Sequence, residues 1–174
     1  MKYPDYSVWL QPEGDAYDEY RKCIEDLAKE HGAPLFEPHV TVLGRIINSE
    51  HDAVEQSAKL AAEISEPMII NLIRVTFGEA YFQCVYLQAE KSAALDQLHN
   101  RAKKLFSIDG LPNPTYMPHL SLMYGERPLD LRKQITASLP QSLLGSFQTK
   151  ELQLVDTKGD EQDWHKVAGF ALGK

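Results

Sequence analysis

The chain has 174 residues, of which 43% are hydrophobic and 25% are charged, and its formal net charge is -7. This length suits one domain or two small lobes that share a sheet, and the composition is that of a folded protein rather than a disordered one. The negative net charge argues against a protein that grips a long nucleic acid by neutralising its phosphates, although a small anionic ligand can still bind in a local pocket.

Hydrophobic periodicity and turn residues divide the chain into seven predicted strands and four predicted helices. The strand segments are rich in β-branched and aromatic residues, whereas the helical segments repeat apolar residues every three or four positions. In chain order, we predict a strand over 6–10, a helix over about 16–30, a strand over about 38–45, a helix over about 49–64, a strand pair over 68–77 and 81–88, a helix over 92–106, a loop over 108–115, a strand over 116–124, a helix over 129–139, and a final strand pair over 147–155 and 164–171.

Three residues mark predicted ends of the first two helices. Asp15 is placed to cap the start of the first helix, and Ser49 is placed to open the second. Gly32 follows the last turn of the first helix, where glycine adopts the left-handed backbone that ends many helices. The packed face of the second helix is predicted to comprise Val54, Ala58, Ala61 and Ala62.

The predicted elements fall into two similar halves. Each half contains a helix, a strand with a histidine motif, a second helix and a strand hairpin, although the halves are too diverged to form a sequence repeat. This order predicts the α+β class, with mixed sheets and with helices packed outside them. We expect a single domain over residues 1–174, built from two lobes related by a pseudo-twofold axis.

Two short segments of the sequence are nearly the same. Pro38-His39-Val40-Thr41-Val42 and Pro118-His119-Leu120-Ser121-Leu122 each read proline, histidine, apolar, hydroxyl, apolar, and their histidines lie 80 positions apart. Because side chains alternate between the faces of a strand, His39 shares a face with Thr41, and His119 shares a face with Ser121. The interleaved apolar residues are predicted to face a core.

These residue types suit the hydrolysis of a phosphodiester if the two motif strands lie side by side. The ordinary histidine pKa of about 6.5 allows one ring to be neutral and the other charged near neutral pH. The neutral ring can accept a proton from water, and the charged ring can give one to the departing alkoxide. Thr41 and Ser121 are placed to donate hydrogen bonds to the non-bridging phosphate oxygens, where charge concentrates in the transition state.

The alternative interpretation is that the histidines have structural roles, since a single His-x-Thr segment occurs often by chance. The presence of two copies favours catalysis. A zinc site is the weaker alternative, because two histidines supply fewer than the three or four ligands that zinc takes. We therefore expect no metal and no cofactor. The remaining histidines are predicted to lie at the surface: His31, His51, His99 and His165.

The two cysteines and the first residues bear on the compartment. Cys23 and Cys84 are predicted to be buried free thiols, with a disulfide between them as the alternative. The first residues lack the apolar segment of a secretory signal, and no run of 18 apolar residues predicts a membrane span. These features favour a cytoplasmic protein.

The sequence resembles the two-histidine phosphoesterase superfamily along nearly its whole length, and it is most similar to the cyclic phosphodiesterases of plants and fungi. The paired histidine motifs are specific to the superfamily, and the other segments point to this subgroup. The segments that carry the resemblance are Tyr6-Ser7-Val8-Trp9, Phe36-Glu37-Pro38-His39-Val40-Thr41-Val42, Phe82-Gln83-Cys84-Val85-Tyr86 and Tyr116-Met117-Pro118-His119-Leu120-Ser121-Leu122-Met123-Tyr124.

The resemblance implies a bilobal fold in which two antiparallel-rich sheets face a central cleft, with helices outside. It implies His39 and His119 as catalytic residues and Thr41 and Ser121 as phosphate-binding residues. It also implies a reaction that opens ADP-ribose 1″,2″-cyclic phosphate to the 1″-phosphate and nucleoside 2′,3′-cyclic phosphates to 2′-phosphates, linked to by-products of tRNA splicing. The family pattern favours His119 as the base and His39 as the acid.

Three further residues are candidates for substrate binding. Trp9 lies on the first strand, where it would stack on a base or ribose, or else belong to the core. The resemblance favours a role in the cleft for Tyr124, although strict alternation from Ser121 places it on the opposite face unless the strand ends or bulges near Gly125. Gln83 is a polar residue in an apolar strand and would contact either ligand or solvent.

Two alternatives to a small-molecule cyclic phosphodiesterase stay open at this point. One is the branch of the superfamily that joins or trims RNA ends, which the net charge disfavours because an RNA end needs a basic surface beside the cleft. The other is a nucleotide-binding module without catalysis. We expect a monomer whose partner is a small cyclic phosphate, with no long nucleic acid and no membrane. The segment before the second motif holds no cysteine, so redox control of that loop is not expected.

Overall fold

The computed structural model describes residues 5–108 and 115–173 of the chain. Eight strands and four α-helices form this part of the protein, together with short 3₁₀ turns at 81–83, 141–143 and 161–163. In chain order the strands and helices are β1 (Tyr6–Leu10), α1 (Gly14–His31), β2 (Val40–Ile46), α2 (Glu50–Ala62), β3 (Met68–Phe77), β4 (Val85–Ala89), α3 (Ala93–Leu105), β5 (His119–Met123), α4 (Leu129–Ser138), β6 (Gly145–Thr149), β7 (Glu151–Asp156) and β8 (His165–Ala171).

The strands form one antiparallel sheet in the order β6-β3-β4-β5-β2-β1-β7-β8. The two motif strands, β5 and β2, are the central neighbours, and a single residue pair, Val40 with Leu120, joins them. The two predicted sheets are thus the four-stranded halves β6-β3-β4-β5 and β2-β1-β7-β8, connected at this seam. The predicted α+β class and pseudo-twofold arrangement are confirmed. The mixed sheets expected from the order of elements are wrong, because every strand pair in the described part of the chain is antiparallel.

The helices repeat the same symmetry. Helix α1 packs against β5, which belongs to the other half, and α3 packs against β2 in return. Helix α2 covers β7 and β8, while α4 covers β3 and β4. Val40, Val42, Leu120 and Leu122 are each no more than 1% exposed, as the strand alternation predicted. The core under the helices therefore fixes the opposite faces of β2 and β5, which carry the polar motif residues.

Helix ends follow the sequence with one exception. Gly32 has the left-handed φ of 59° at the end of α1, and the Ser49 hydroxyl accepts a hydrogen bond from the Asp52 amide at the start of α2, as predicted. Asp15 as a cap is wrong. Helix α1 begins at Gly14, two residues before the predicted start, with Glu13 as its N-cap, and Asp15 lies inside its first turn, where its charge faces the positive end of the helix dipole.

Two strand predictions need correction. Residues 81–83 form a 3₁₀ turn rather than the start of a strand, so that β4 begins only at Val85. The strand predicted over 147–155 is two strands, which separate at Lys150: β6 pairs with β3 in one half, whereas β7 pairs with β1 in the other. No glycine or proline lies between residues 147 and 155, so the sequence shows no break there, and only tertiary pairing separates the two strands.

Two predictions of burial are also corrected. The packed face of α2 is rotated by about one position and comprises Ala53, Ser57, Leu60 and Ala61. His99 is not a surface residue: it is 8% exposed, its Nδ1 bonds the Val42 carbonyl at 2.8 Å, and its ring stacks on Tyr116. The Nδ1 nitrogen of this histidine, on the apolar stripe of α3, therefore has its hydrogen-bond partner inside the protein.

The remaining predictions concern the thiols, the membrane and one loop. Cys23 and Cys84 are both free, as predicted, and Cys84 is buried, but Cys23 is only half-buried, contrary to the prediction. No helix in the described part of the chain has the length and apolar character to cross a membrane. The loop predicted over 108–115 lies mostly outside the described residues.

Candidate active site

A cavity of about 350 Å³ lies where β2 and β5 meet, on the face opposite the helices. Its volume falls within the range of about 300–1,000 Å³ that is usual for small-molecule sites. All seven residues singled out from the sequence line it: His39, Thr41, His119, Ser121, Trp9, Gln83 and Tyr124. The fold thus brings both motifs to one place.

Each motif histidine is held by the same local contact. His39 Nδ1 lies 2.6 Å from the carbonyl of Glu37, and His119 Nδ1 lies 2.9 Å from the carbonyl of Met117, two residues back in each case. The intervening proline fixes its own φ and favours an extended residue before it, which places that carbonyl beside the ring. The Pro-His pairs of the sequence therefore orient the rings.

This contact also sets the tautomer of both rings. A carbonyl oxygen only accepts hydrogen bonds, so Nδ1 must carry the proton in each histidine. In the neutral ring, Nε2 is then the unprotonated nitrogen and can accept a proton. Since both rings line the cavity, Nε2 of each is the nitrogen available to a ligand there. The site offers two equivalent positions for proton transfer.

Burial makes both histidines weaker bases than usual. Burial lowers the pKa of His39 to about 4, against the opposing effect of the Glu37 carbonyl, and the charge of His119 lowers it further. Burial also lowers the pKa of His119, and the Met117 carbonyl opposes that shift. Both rings are therefore neutral at pH 7 without ligand, whereas the sequence suggested one charged ring. An anion between the rings favours protonation of one of them.

The two motif hydroxyls differ in their present contacts. Thr41 makes no side-chain hydrogen bond to another described residue, so its hydroxyl is available to a ligand. The Ser121 hydroxyl donates to the carbonyl of Phe82 at 2.6 Å. Ser121 is only 5% exposed, and its hydroxyl must rotate away from that carbonyl before it can donate to a phosphate.

Trp9 lines the cavity and packs directly against the ring of His39. Its ring stacks on His39 with centroids 3.6 Å apart and planes 6° apart, and only 3% of the residue is exposed. Its Nε1 donates to the Ser7 hydroxyl at 2.8 Å, and that hydroxyl donates to the Leu43 carbonyl at 3.2 Å. The indole thus fixes one face of the imidazole and is itself fixed by β2.

Tyr124 and Gln83 reach the cavity from irregular backbone. Tyr124 follows the end of β5, and the next residue, Gly125, has a φ of 132°, so the chain leaves the strand and turns the tyrosine towards the cavity. Its ring stacks on Phe36 at 3.7 Å and its pKa is raised by burial. Gln83 belongs to the 3₁₀ turn at 81–83.

Several lining residues were missed by the sequence analysis. Ser7 lies two positions before Trp9 on β1, so the alternation rule already placed it on the same face. Phe82, which is 47% exposed, and Trp164 form an aromatic side of the cavity, with ring centroids 6.1 Å apart. No sequence signal placed Trp164 here, because it arrives through the pairing of β7 with β1.

Metal-ligating side chains gather elsewhere in the described part of the chain. Among the residues that the structure describes, the only group of three with suitable spacing comprises His51, Asp52 and Glu55, which are exposed at the start of α2 and do not line the cavity. Within the cavity, Asp5 is the one carboxylate and Arg45 the one lysine or arginine among the described residues. The cavity is suited to proton transfer by imidazole.

Comparison with known proteins gives one consistent family. The family model described as cyclic phosphodiesterase-like protein matches residues 5–172. A cyclic phosphodiesterase of Arabidopsis thaliana is 29% identical over 170 residues, covering 94% of this chain and 92% of that protein. A 2′,3′-cyclic-nucleotide 3′-phosphodiesterase of Kluyveromyces lactis is 27% identical over 136 residues, covering 69% of this chain and 64% of that protein.

Solved structures share the fold at low sequence identity. The structure of Escherichia coli LigT complexed with NADP⁺ aligns with a TM-score of 0.66 at 14% identity, over 100% of both chains. TT0787 of Thermus thermophilus aligns with a TM-score of 0.66 at 16% identity, over 97% of this chain and 98% of that one. The resemblance inferred from the two histidine motifs is confirmed.

Proposed function

Since this chain belongs to the cyclic phosphodiesterase-like family, we propose that it hydrolyses small cyclic phosphodiesters by proton transfer between His39 and His119. The substrates are ADP-ribose 1″,2″-cyclic phosphate and nucleoside 2′,3′-cyclic phosphates, and no metal takes part. The observation that carries the proposal is the matched contact of both rings, which ties each Nδ1 to a backbone carbonyl and leaves each Nε2 for the cavity.

His119 acts as the base in this proposal. Its neutral Nε2 takes a proton from water as the water oxygen attacks phosphorus on the side opposite the leaving oxygen. Ser121, two positions along the same strand face, helps to place that water. Leu120 and Leu122, the alternate residues of β5, are buried in the apolar core, and this packing holds the strand and the His119 ring in position.

His39 acts as the acid. The bound phosphate carries a negative charge, which favours the imidazolium form of a nearby ring. Trp9 stacks on the His39 ring with centroids 3.6 Å apart. The aromatic neighbour of His119 is Tyr86, which meets that ring edge-on at 5.2 Å. An aromatic face stabilises a stacked cation, and we propose that this effect, together with the bound anion, outweighs the burial that lowers the pKa of His39 and places the proton on that ring.

The reaction is then a simple displacement. A bond forms between phosphorus and the water oxygen, and the bond from phosphorus to the 3′ or 2″ oxygen breaks. That oxygen leaves with both bonding electrons and takes the proton of His39, while His119 keeps the proton from water. The products are the 2′-phosphate of a nucleotide or the 1″-phosphate of ADP-ribose, and proton exchange with solvent resets the two rings.

The hydroxyls stabilise the charge that develops on phosphate. Thr41 donates to one non-bridging oxygen, and Ser121 donates to the other after it releases the Phe82 carbonyl. Loss of one such donor costs on the order of 10²–10³-fold in turnover in other enzymes. Tyr124, Gln83 and the aromatic side formed by Phe82 and Trp164 contact the remainder of the substrate.

The test is turnover in the presence of EDTA, with each 2′,3′-cyclic nucleotide and with ADP-ribose 1″,2″-cyclic phosphate, followed by separation of the product isomers. We expect only 2′-phosphate and 1″-phosphate products, and a loss of at least about 10²-fold in turnover for His39→Ala and for His119→Ala. His51→Ala, an exposed histidine outside the cavity, is the matched control. Absence of product from every substrate would reject the proposal in favour of RNA ends or simple binding. Full activity in either cavity variant would reject proton transfer by the two histidines.

A further inference from the structure

The backbone of β2 is irregular at the edge of the cavity. Between two regular pairs of β1 and β2, Gly44 and Arg45 both lie opposite the single residue Ser7, which is the pattern of a β-bulge. Arg45 has a φ of 58°, in the left-handed region that non-glycine residues rarely adopt. Bulges re-aim side chains beside active sites, and backbone strain concentrates at such sites. The bulge places Arg45 on the cavity lining.

The guanidinium of Arg45 is an uncommitted charge. Its side chain is exposed, and it forms no hydrogen bond or ion pair with any other residue that the structure describes. In contrast, Arg21 on α1 is bound to Glu25 and Glu37. The charged neighbour of Arg45 in the cavity is Asp5, whose pKa is raised by burial and lowered in part by Arg45. Arg45 is thus the one lining cation, among the described residues, that a ligand anion can meet.

The position of Arg45 separates it from the reacting phosphate. Arg45 lies four residues beyond Thr41 on the same strand, which corresponds to roughly 10 Å along an extended chain that contains bulges. The reacting phosphate lies between the histidines and Thr41 in the proposed mechanism. Another anionic group, on the part of the substrate that extends along β2, is the one that Arg45 can meet.

We propose that Arg45 binds a second phosphate or diphosphate of the substrate and so makes the protein selective for cyclic phosphates that carry one. This inference rests on the proposed cyclic phosphodiesterase activity and specifies its substrate class. A guanidinium pairs with two oxygens of a phosphate at once, which gives geometry as well as charge attraction. ADP-ribose 1″,2″-cyclic phosphate, with its diphosphate, fits this class better than an unphosphorylated nucleoside 2′,3′-cyclic phosphate.

The experiment compares two substrates that differ by one group: adenosine 2′,3′-cyclic phosphate and its 5′-phosphorylated form. The quantity measured is the ratio of their kcat/KM values, at low and at high salt. Arg45→Gly removes the side chain at a position whose φ suits glycine, so the variant is expected to fold. Arg45→Lys keeps the charge but not the paired geometry. Lys59→Ala, on the outer face of α2, gives the same change in net charge away from the cavity.

We expect the normal protein to prefer the 5′-phosphorylated substrate, and Arg45→Gly to reduce that preference by about tenfold, which is the scale of one charge-assisted contact. Arg45→Lys should retain part of the preference, Lys59→Ala all of it, and salt should weaken it in the normal protein. Asp5→Asn, which removes a carboxylate from the cavity, should increase the preference.

Two results for Arg45→Gly would overturn the inference. One is an unchanged ratio of the two kcat/KM values, and the other is an equal loss of kcat/KM for both substrates, which would mean that Arg45 has only a structural role. Calorimetric binding of adenosine 2′-phosphate and adenosine 2′,5′-bisphosphate gives the same comparison without turnover. If the normal protein hydrolyses neither substrate, the proposed function fails, and the binding ratio alone then supports or overturns the role of Arg45.

Discussion

At the scale of single residues, His39 is the most unusual group in the protein. It is 6% exposed, stacked under Trp9 and tied to the Glu37 carbonyl, and its pKa is lowered to about 4. A buried ring that resists protonation contributes to stability at neutral pH and loses that contribution in acid. The same burial prepares the ring to receive a proton only when an anion is bound beside it.

This argument predicts a pH dependence of folding stability with a definite sign. The pKa of His39 is near 6.5 in the unfolded chain and about 4 in the folded protein, so the unfolded chain binds more protons between these values. The contribution is complete above pH 6.5 and is lost as the pH falls towards 4. We expect about 2 kcal/mol less free energy of unfolding at pH 5 than at pH 7 from this residue.

Urea unfolding at several pH values measures this effect in the normal protein and in His39→Asn, which cannot titrate. The variant should show a flatter dependence of unfolding free energy on pH between 7 and 5. His51→Asn, at an exposed site, should keep the steeper dependence. Equal slopes in the normal protein and His39→Asn would show that the ring is not held neutral by burial.

Much of the residue-level chemistry was readable from the sequence. The pattern Pro-His-apolar-hydroxyl-apolar implied which side chains share a face, and His39, Thr41, His119 and Ser121 do line one cavity. The protonation states were not readable, because they depend on burial by residues distant in sequence. The stacking of Trp9 on His39 rather than towards an open cleft was likewise set by neighbouring strands.

At the scale of elements, β2 depends on side chains from the other half of the chain. The Tyr116 hydroxyl donates to the Thr41 carbonyl at 2.9 Å, and His99 of α3 bonds the next carbonyl, Val42, at 2.8 Å. Their two rings stack with centroids 4.1 Å apart and planes 3° apart. This pair fixes the backbone that carries Thr41, so we treat Tyr116 as a positioning residue.

Tyr116→Phe tests that role, since it removes the hydrogen bond but keeps the stacked ring. We expect a loss of about 1–2 kcal/mol in the free energy of unfolding, because the carbonyl loses its partner. We also expect lower kcat with little change in KM, because Thr41 shifts relative to the phosphate in the transition state.

Tyr20→Phe is the matched control for this prediction. Tyr20 is a buried tyrosine whose hydroxyl also donates to a backbone carbonyl, that of Leu143, but it does not line the cavity. It should lose stability without a change in kcat. If both variants lowered kcat equally, or if Tyr116→Phe left kcat unchanged, the positioning role would be rejected.

Local signals predicted some element boundaries and not others. Ser49 and Gly32 act through contacts within a few residues, so their roles were predicted correctly. The division of 147–155 into β6 and β7 was missed because each strand pairs with a partner far along the chain. The bulge at Gly44 and Arg45 arises from the pairing of β1 with β2, and its one local sign, a glycine inside the predicted strand, was not used in the prediction.

At the scale of the whole molecule, the site exists only because the two halves meet. Each half supplies one histidine and one hydroxyl, and helices α1 and α3 each pack on the motif strand of the opposite half. The duplicated motif made this arrangement predictable, together with the α+β class. The joining of both halves into one sheet through Val40 and Leu120 was not predictable from periodicity.

The central claim is that His39 and His119 act on one substrate in opposite protonation states. The most direct test is kcat/KM against pH for a 2′,3′-cyclic nucleotide, since this quantity reports the ionisation of the free protein. Because burial lowers both pKa values, we predict a bell-shaped profile with its maximum below pH 6.5. In His39→Ala one of the two sloping sides of the profile should disappear, and in His119→Ala the other should. A flat profile, or a profile that either variant leaves unchanged, would contradict the account.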